Sequence, residues 1–214
     1  MILKTRLLGK TYAFRDIKDA LAKANEDKTG DRLAGLAAET AQERVAAKVV
    51  VASLLLSDLR EHPAVPYEED EVTRIIQDDV NEPQYTKIRN WTVSDLREWI
   101  LDEKTTGADI RRLSRGLTSE MVAAVAKLMS NLDLIYAAQK IRITAHCNTT
   151  IGLPGTLSCR LQPNHTTDDP DGILASTLEG LTFGAGDAVI GLNPVTDSAQ
   201  RVKEVLERFR EVKE

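Results

Sequence analysis

The chain has 214 residues, 28 of them basic and 33 acidic, a net charge of −5 and only 4% aromatics. Without a Lys/Arg block or aromatics for base stacking, neither nucleic acid nor a phospholipid surface is expected as a partner. No apolar run can span a bilayer, Met1-Ile2-Leu3-Lys4-Thr5-Arg6 lacks a signal-peptide core, and Cys147 and Cys159 form no CxxC, so the expected location is a reducing, cytoplasmic one.

Residues 2–14 alternate weakly around Gly9-Lys10, which predicts a β-hairpin. Asp16 opens a helical pattern through Ile17, Ala20 and Leu21, broken at Thr29-Gly30. Leu33, Leu36 and Ala37 start another, and residues 41–56 form an Ala- and Val-rich helix. Ser57-Asp58-Leu59-Arg60 adds a further turn before Pro63 and Pro66. Residues 68–80 are expected to be helical, with Val72, Ile75 and Ile76 as the apolar stripe. Thr92-Val93-Ser94-Asp95 is an N-cap signal ahead of Leu96, Trp99 and Ile100. Thr118-Ser119-Glu120 starts an amphipathic helix with Val122, Val125, Ala126 and Met129. Residues 131–140 continue as helix, and Arg142-Ile143-Thr144 reads as a short strand.

The texture changes near Asn148, where Gly, Thr and Pro become dense. The expected organisation is α/β: a mainly helical region over 1–147, then a second region over 148–214. Two short apolar runs in the second region read as buried strands: Thr156-Leu157-Ser158-Cys159-Arg160-Leu161-Gln162-Pro163-Asn164 and Asp187-Ala188-Val189-Ile190-Gly191-Leu192-Asn193-Pro194. Between them, Asp168-Asp169-Pro170-Asp171 is an acidic helix start leading into Ile173, Leu174, Leu178 and Leu181. Strand, helix, strand is a βαβ unit with parallel strands and a right-handed connection. Residues 198–214 close the sequence as an amphipathic helix carrying Val202, Val205, Leu206 and Phe209.

In parallel α/β folds, function gathers at the carboxyl ends of the strands. Here those ends carry Arg160, Gln162 and Asn193. Arg160 offers a rigid fork of donors that suits a hydroxyl or a developing oxyanion; read alone, it is equally a surface residue of an edge strand. Gln162 and Asn193 each bring a donor and an acceptor, whereas an ammonium group would need a carboxylate. Asp187 reads as a cap or turn residue. Asp78-Asp79 are adjacent in a helix, point apart and read as structural. His62 and His165 sit among polar loop residues, and His146-Cys147 lack the two further ligands a zinc site requires, so no metal site is expected. Gly184-Ala185-Gly186 precedes a strand, whereas a dinucleotide loop follows one. Gly152-Leu153-Pro154-Gly155 is a turn.

Five stretches in one order carry a resemblance: Gln42-Glu43-Arg44-Val45-Ala46-Ala47-Lys48, Ile76-Gln77-Asp78-Asp79-Val80-Asn81, Gly116-Leu117-Thr118-Ser119-Glu120, Arg160-Leu161-Gln162-Pro163-Asn164 and the run from Gly186 through Asp187-Ala188-Val189-Ile190-Gly191-Leu192-Asn193-Pro194-Val195-Thr196-Asp197. Together they resemble the heavy chain of ethanolamine ammonia-lyase, in register from near residue 1 to about Asp197. The resemblance implies a helical amino-terminal region followed by the first two strands and helices of a TIM-type (β/α)8 barrel, incomplete here, so that the 214 residues are the amino-terminal part of such a chain. It implies a carbon–nitrogen lyase that uses adenosylcobalamin to convert ethanolamine to acetaldehyde and ammonia. Arg160, Gln162 and Asn193 match substrate contacts, Pro194 matches a corrinoid contact, and the family's acidic substrate residues fall beyond Glu214. The implied partners are the small subunit and further copies of the heavy chain, in a bacterial microcompartment. The competing expectation is a non-catalytic helical module that packs on other subunits.

Overall fold

A computed structural model describes residues 3–186, 189–196 and 198–213. Helices and small two-stranded sheets alternate in it, an α/β architecture. The chain divides into two compact units, Met1–Ile141 and Arg142–Glu214.

The first unit opens with β1 (Lys4–Leu7) and β2 (Lys10–Ala13), antiparallel and paired Lys4 with Ala13 through Leu7 with Lys10. Helices follow: α1 (Ile17–Lys23), α2 (Thr29–Leu33), α3 (Ala41–Ser53), α4 (Leu56–Glu61), α5 (Glu71–Asp78), α6 (Glu82–Ile88), α7 (Val93–Leu101), α8 (Gly107–Ser114), α9 (Ser119–Leu128) and α10 (Asn131–Lys140). Capping side chains set many of the starts. Asp16, Thr40, Asn81, Thr92 and Thr118 each accept a hydrogen bond from a backbone N–H in the first turn of the helix that follows.

The core centres on α3, whose Ala46, Ala47, Val50 and Val51 are buried against the hairpin, α1, α7 and α9. Small residues on that face let the neighbouring elements approach closely. The helix ends sooner than its composition predicts. Leu54 is extended, and its carbonyl accepts from the N–H of Val93 at 2.9 Å while the Leu56 N–H donates to Trp91 O at 2.9 Å. Pairing with a distant segment there outcompetes continued helix and buries Leu54, Leu56 and Leu59. Leu56 is fully buried, so Leu56→Ala is expected to cost about 2–5 kcal/mol of unfolding free energy by denaturant titration; a loss below about 1 kcal/mol would contradict this packing.

Several apolar stripes fall elsewhere than periodicity predicts. Thr29-Gly30 begins the short α2 rather than ending a helix, and residues 34–40 are not helical. On α5, Val72 and Ile75 are 62% and 61% exposed and no residue is buried. On α9 the buried residues are Met121, Ala124 and Val125, while Val122 faces out. Polar contacts tie helix to helix around this core. Arg97 Nη2 meets Asp133 Oδ2 at 2.7 Å between α7 and α10, and the Arg60 guanidinium lies 4.2 Å over the Tyr85 ring.

In the second unit, β3 (Ala145–His146) pairs antiparallel with β4 (Thr150–Ile151), so the strand expected at Arg142–Thr144 lies just downstream of it. β5 (Arg160–Leu161), α11 (Pro170–Thr182) and β6 (Val189–Ile190) form a βαβ unit with parallel strands. α12 (Ala199–Lys213) follows and buries Val205, while Leu206 stays 59% exposed. No helix among the described residues is long and apolar enough to cross a membrane.

Candidate functional site

Two neighbouring strand ends build the candidate site. The register pairs Arg160 with Val189 and Leu161 with Ile190, and the Gly191 N–H continues it by donating to Leu161 O at 2.9 Å. Leu161 points toward α11. Its methyl carbons lie 2.5 and 2.7 Å from where a Cβ on Gly180 would stand, so a side chain at 180 would make Leu161 shift. Alternation then turns Arg160 and Gln162 to the opposite face. On that face the Arg160 guanidinium reaches across onto the neighbouring strand and rests on Gly191. Arg160, Gln162 and Asn193 are all exposed.

The chain beyond β6 is held by side chains from the loop after β5. Asn164 N donates to Gln162 O at 2.9 Å, turning the chain after β5. The Asn164 side-chain oxygen accepts from the Asn193 N–H at 3.0 Å. Asp168 is buried, adopts a left-handed backbone with φ of 53°, and accepts from the N–H groups of Val195 (2.9 Å) and Thr196 (2.6 Å). Asn193 and Pro194 are thus fixed from both sides by the loop between β5 and α11.

Asp168 was legible only as part of an acidic helix start. The cap of α11 is Asp169, which accepts from Gly172 N at 2.8 Å with Pro170 in the first turn. A cap uses one aspartate, and the second was the available signal. Asp168 also places a carboxylate beside these strand ends, but backbone N–H groups occupy both its oxygens. Those two N–H groups hold its carboxyl below the usual carboxylate range. The stability it supplies is therefore present above the unfolded carboxyl's titration and is lost as pH falls through the lowered folded value. Asp168→Asn is expected to lower the melting temperature at neutral pH, because an amide NH2 would face one of the N–H donors. The gap between the two proteins should close in acid, and a gap independent of pH would show that the charge at 168 is idle.

The remaining candidates have local duties. His165 Nδ1 lies 3.2 Å from Thr167 Oγ1, and its ring packs on Gly172. His146 Nδ1 lies 3.1 Å from Thr150 Oγ1, and Cys147 Sγ donates to Thr149 O at 2.7 Å. Asp187 lies outside the described residues. Pro194 borders an apolar cavity of about 170 Å³ together with Ile190, Leu192 and, on α12, Val205, Leu206 and Phe209. Pro194 and the 66%-exposed Val195 give this loop an apolar rim.

Comparison with known proteins places this geometry in a family. Residues 12–214 match the family model described as ethanolamine ammonia lyase large subunit (EutB). The chain is 56% identical over 207 residues to the ethanolamine ammonia-lyase large subunit of Salmonella typhimurium strain LT2, covering 97% of this chain and 46% of that protein. Identity and coverage are the same for the large subunit of Escherichia coli strain K12. The chain spans about half the length of the curated relatives it matches. With the match running through both strand ends and the loops that hold them, the chain belongs to the ethanolamine ammonia-lyase large subunit family.

Proposed function

We propose that these residues form the amino-terminal part of an ethanolamine ammonia-lyase large subunit and supply the oxygen-binding side of its substrate pocket. The observation that carries this reading is the Arg160 guanidinium lying over Gly191, the residue that continues the register opposite Gln162, two residues before Asn193. The net reaction converts the ethanolammonium ion to acetaldehyde and ammonium, with all atoms conserved. Adenosylcobalamin supplies the radical when bound, by homolysis of its cobalt–carbon bond. This chain's residues do the rest of what falls to them. Arg160 donates to the substrate oxygen, Gln162 and Asn193 fix its direction, and Pro194 would help hold the corrinoid. Fixed donors aimed at a developing charge lower the barrier more than mobile water can.

The substrate ammonium requires a carboxylate, and Asp168 is committed to the backbone. That partner is assigned to chain beyond residue 214, as are the strands that complete a (β/α)8 barrel on β5 and β6. The small subunit, further copies of the large subunit and a bacterial microcompartment complete the assembly on this reading. Exposed Val72 and Ile75 on α5 and Leu132 and Ile135 on α10 favour subunit packing as a second duty of the helical region. An acetaldehyde assay tests the whole reading, using the large subunit that carries these residues, assembled with its small subunit and adenosylcobalamin. Equal amounts of acetaldehyde and ammonia are expected from ethanolamine; no product would overturn it.

A further inference from the structure

We propose that Gly191 is a positioning residue for Arg160: its missing side chain is the opening through which the guanidinium crosses from β5 onto β6. The inference rests on the substrate role proposed above for Arg160. A Cβ built on Gly191 would stand 2.5 Å from Arg160 Nη2, 2.9 Å from Nε and 3.0 Å from Cζ. Its three nearest neighbours are therefore all guanidinium atoms. Non-bonded carbon and nitrogen atoms do not approach so closely, so any side chain at 191 makes the guanidinium shift from this place.

The backbone gives no other reason for a glycine here. Gly184 and Gly186, just upstream, have φ of 75° and 88°, values that favour glycine. Gly191 is not among the positive-φ residues, and its N–H makes an ordinary ladder bond to Leu161 O. A glycine that continues a strand's pairing without a positive φ marks a close approach by another group. The group is Arg160, and the consequence is directional. Resting on the adjacent strand, the planar fork lies on the face shared by Gln162 and the side-chain direction of residue 191, with Asn193 two residues further along. Pushed off Gly191, an exposed arginine has several solvent-facing rotamers and no reason to keep that one.

The test uses the assembled enzyme and two readouts. In turnover, Gly191→Ala is expected to lower kcat by roughly 100-fold with a smaller change in KM, as misplacement of a catalytic group by about an ångström does. In the Arg160→Ala background the same change should have almost no further effect, because the group it displaces is gone. An equal loss in both backgrounds, or parent-like kcat together with an unchanged rate of Arg160 modification, overturns the proposal. The second readout does not depend on activity. Phenylglyoxal modification of Arg160, mapped by mass spectrometry on substrate-free enzyme, should be faster in Gly191→Ala than in the parent. An unchanged modification rate overturns the positioning claim. Faster modification with unchanged turnover keeps the steric contact and instead refutes the substrate role of Arg160. Parent-like circular dichroism and size-exclusion profiles establish that the variant is folded.

Discussion

Arg160→Ala in the assembled enzyme is expected to reduce turnover about 100- to 1000-fold, a loss of about 3–4 kcal/mol of transition-state stabilisation. The size follows from what is removed. The guanidinium is a permanently charged donor, laid across Gly191 on the face that carries Gln162. On the proposed reading, charge shifts at the substrate oxygen as the carbon–nitrogen bond breaks, and a donor already in place needs no reorganisation to meet it. Arg160→Lys should recover only part of the loss, since an ammonium keeps the charge and loses the planar fork. Steady-state kinetics on both variants decide the matter. A fall in kcat marks a role in the chemical step, a rise in KM alone marks uniform binding, and unchanged kinetics reduce Arg160 to a surface residue.

The 214-residue chain by itself is expected to show no measurable lyase activity. Arg160, Gln162 and Asn193 are exposed on it, whereas radical chemistry requires that water and competing reactants be kept out. Asp168 places a carboxylate beside the strand ends, but it is buried and turned onto the N–H groups of Val195 and Thr196, so it does not face a substrate ammonium. β5 and β6 pair only with each other among the described residues, leaving backbone edges for further strands. Such edges, with Val189 half exposed, should also make the isolated chain associate. An aldehyde-coupled assay with ethanolamine and adenosylcobalamin, run beside the complete enzyme, checks this. Turnover near the complete enzyme's rate would mean that the chemistry sits elsewhere in the chain.

Local signals carried much of the fold. Thr92 and Thr118 are legible as caps because a hydroxyl there can satisfy an N–H that the first helical turn leaves unpaired, and both accept from the expected turn. The parallel βαβ unit is legible from two apolar runs flanking an acidic helix start. What sequence periodicity could not settle is which apolar face finds a partner. Val72, Ile75 and Val122 lie on stripes that the described chain leaves exposed, and the early end of α3 at Ser53 depends on Trp91 and Val93, far along the chain. The site divides in the same way. Residue types marked Arg160, Gln162 and Asn193 as polar groups at strand ends, and resemblance gave them roles. Asp168 and Gly191 escaped notice because their duties are tertiary: one carboxylate turned back onto a loop, and one side chain absent where another must pass.

The most direct measurement is a crystal structure of the assembled enzyme with ethanolamine bound. The account predicts the substrate oxygen within hydrogen-bond distance of the Arg160 guanidinium, with Gln162 and Asn193 beside it and the guanidinium still resting on Gly191. Ethanolamine bound away from the ends of β5 and β6, with Arg160 turned to solvent, would contradict it.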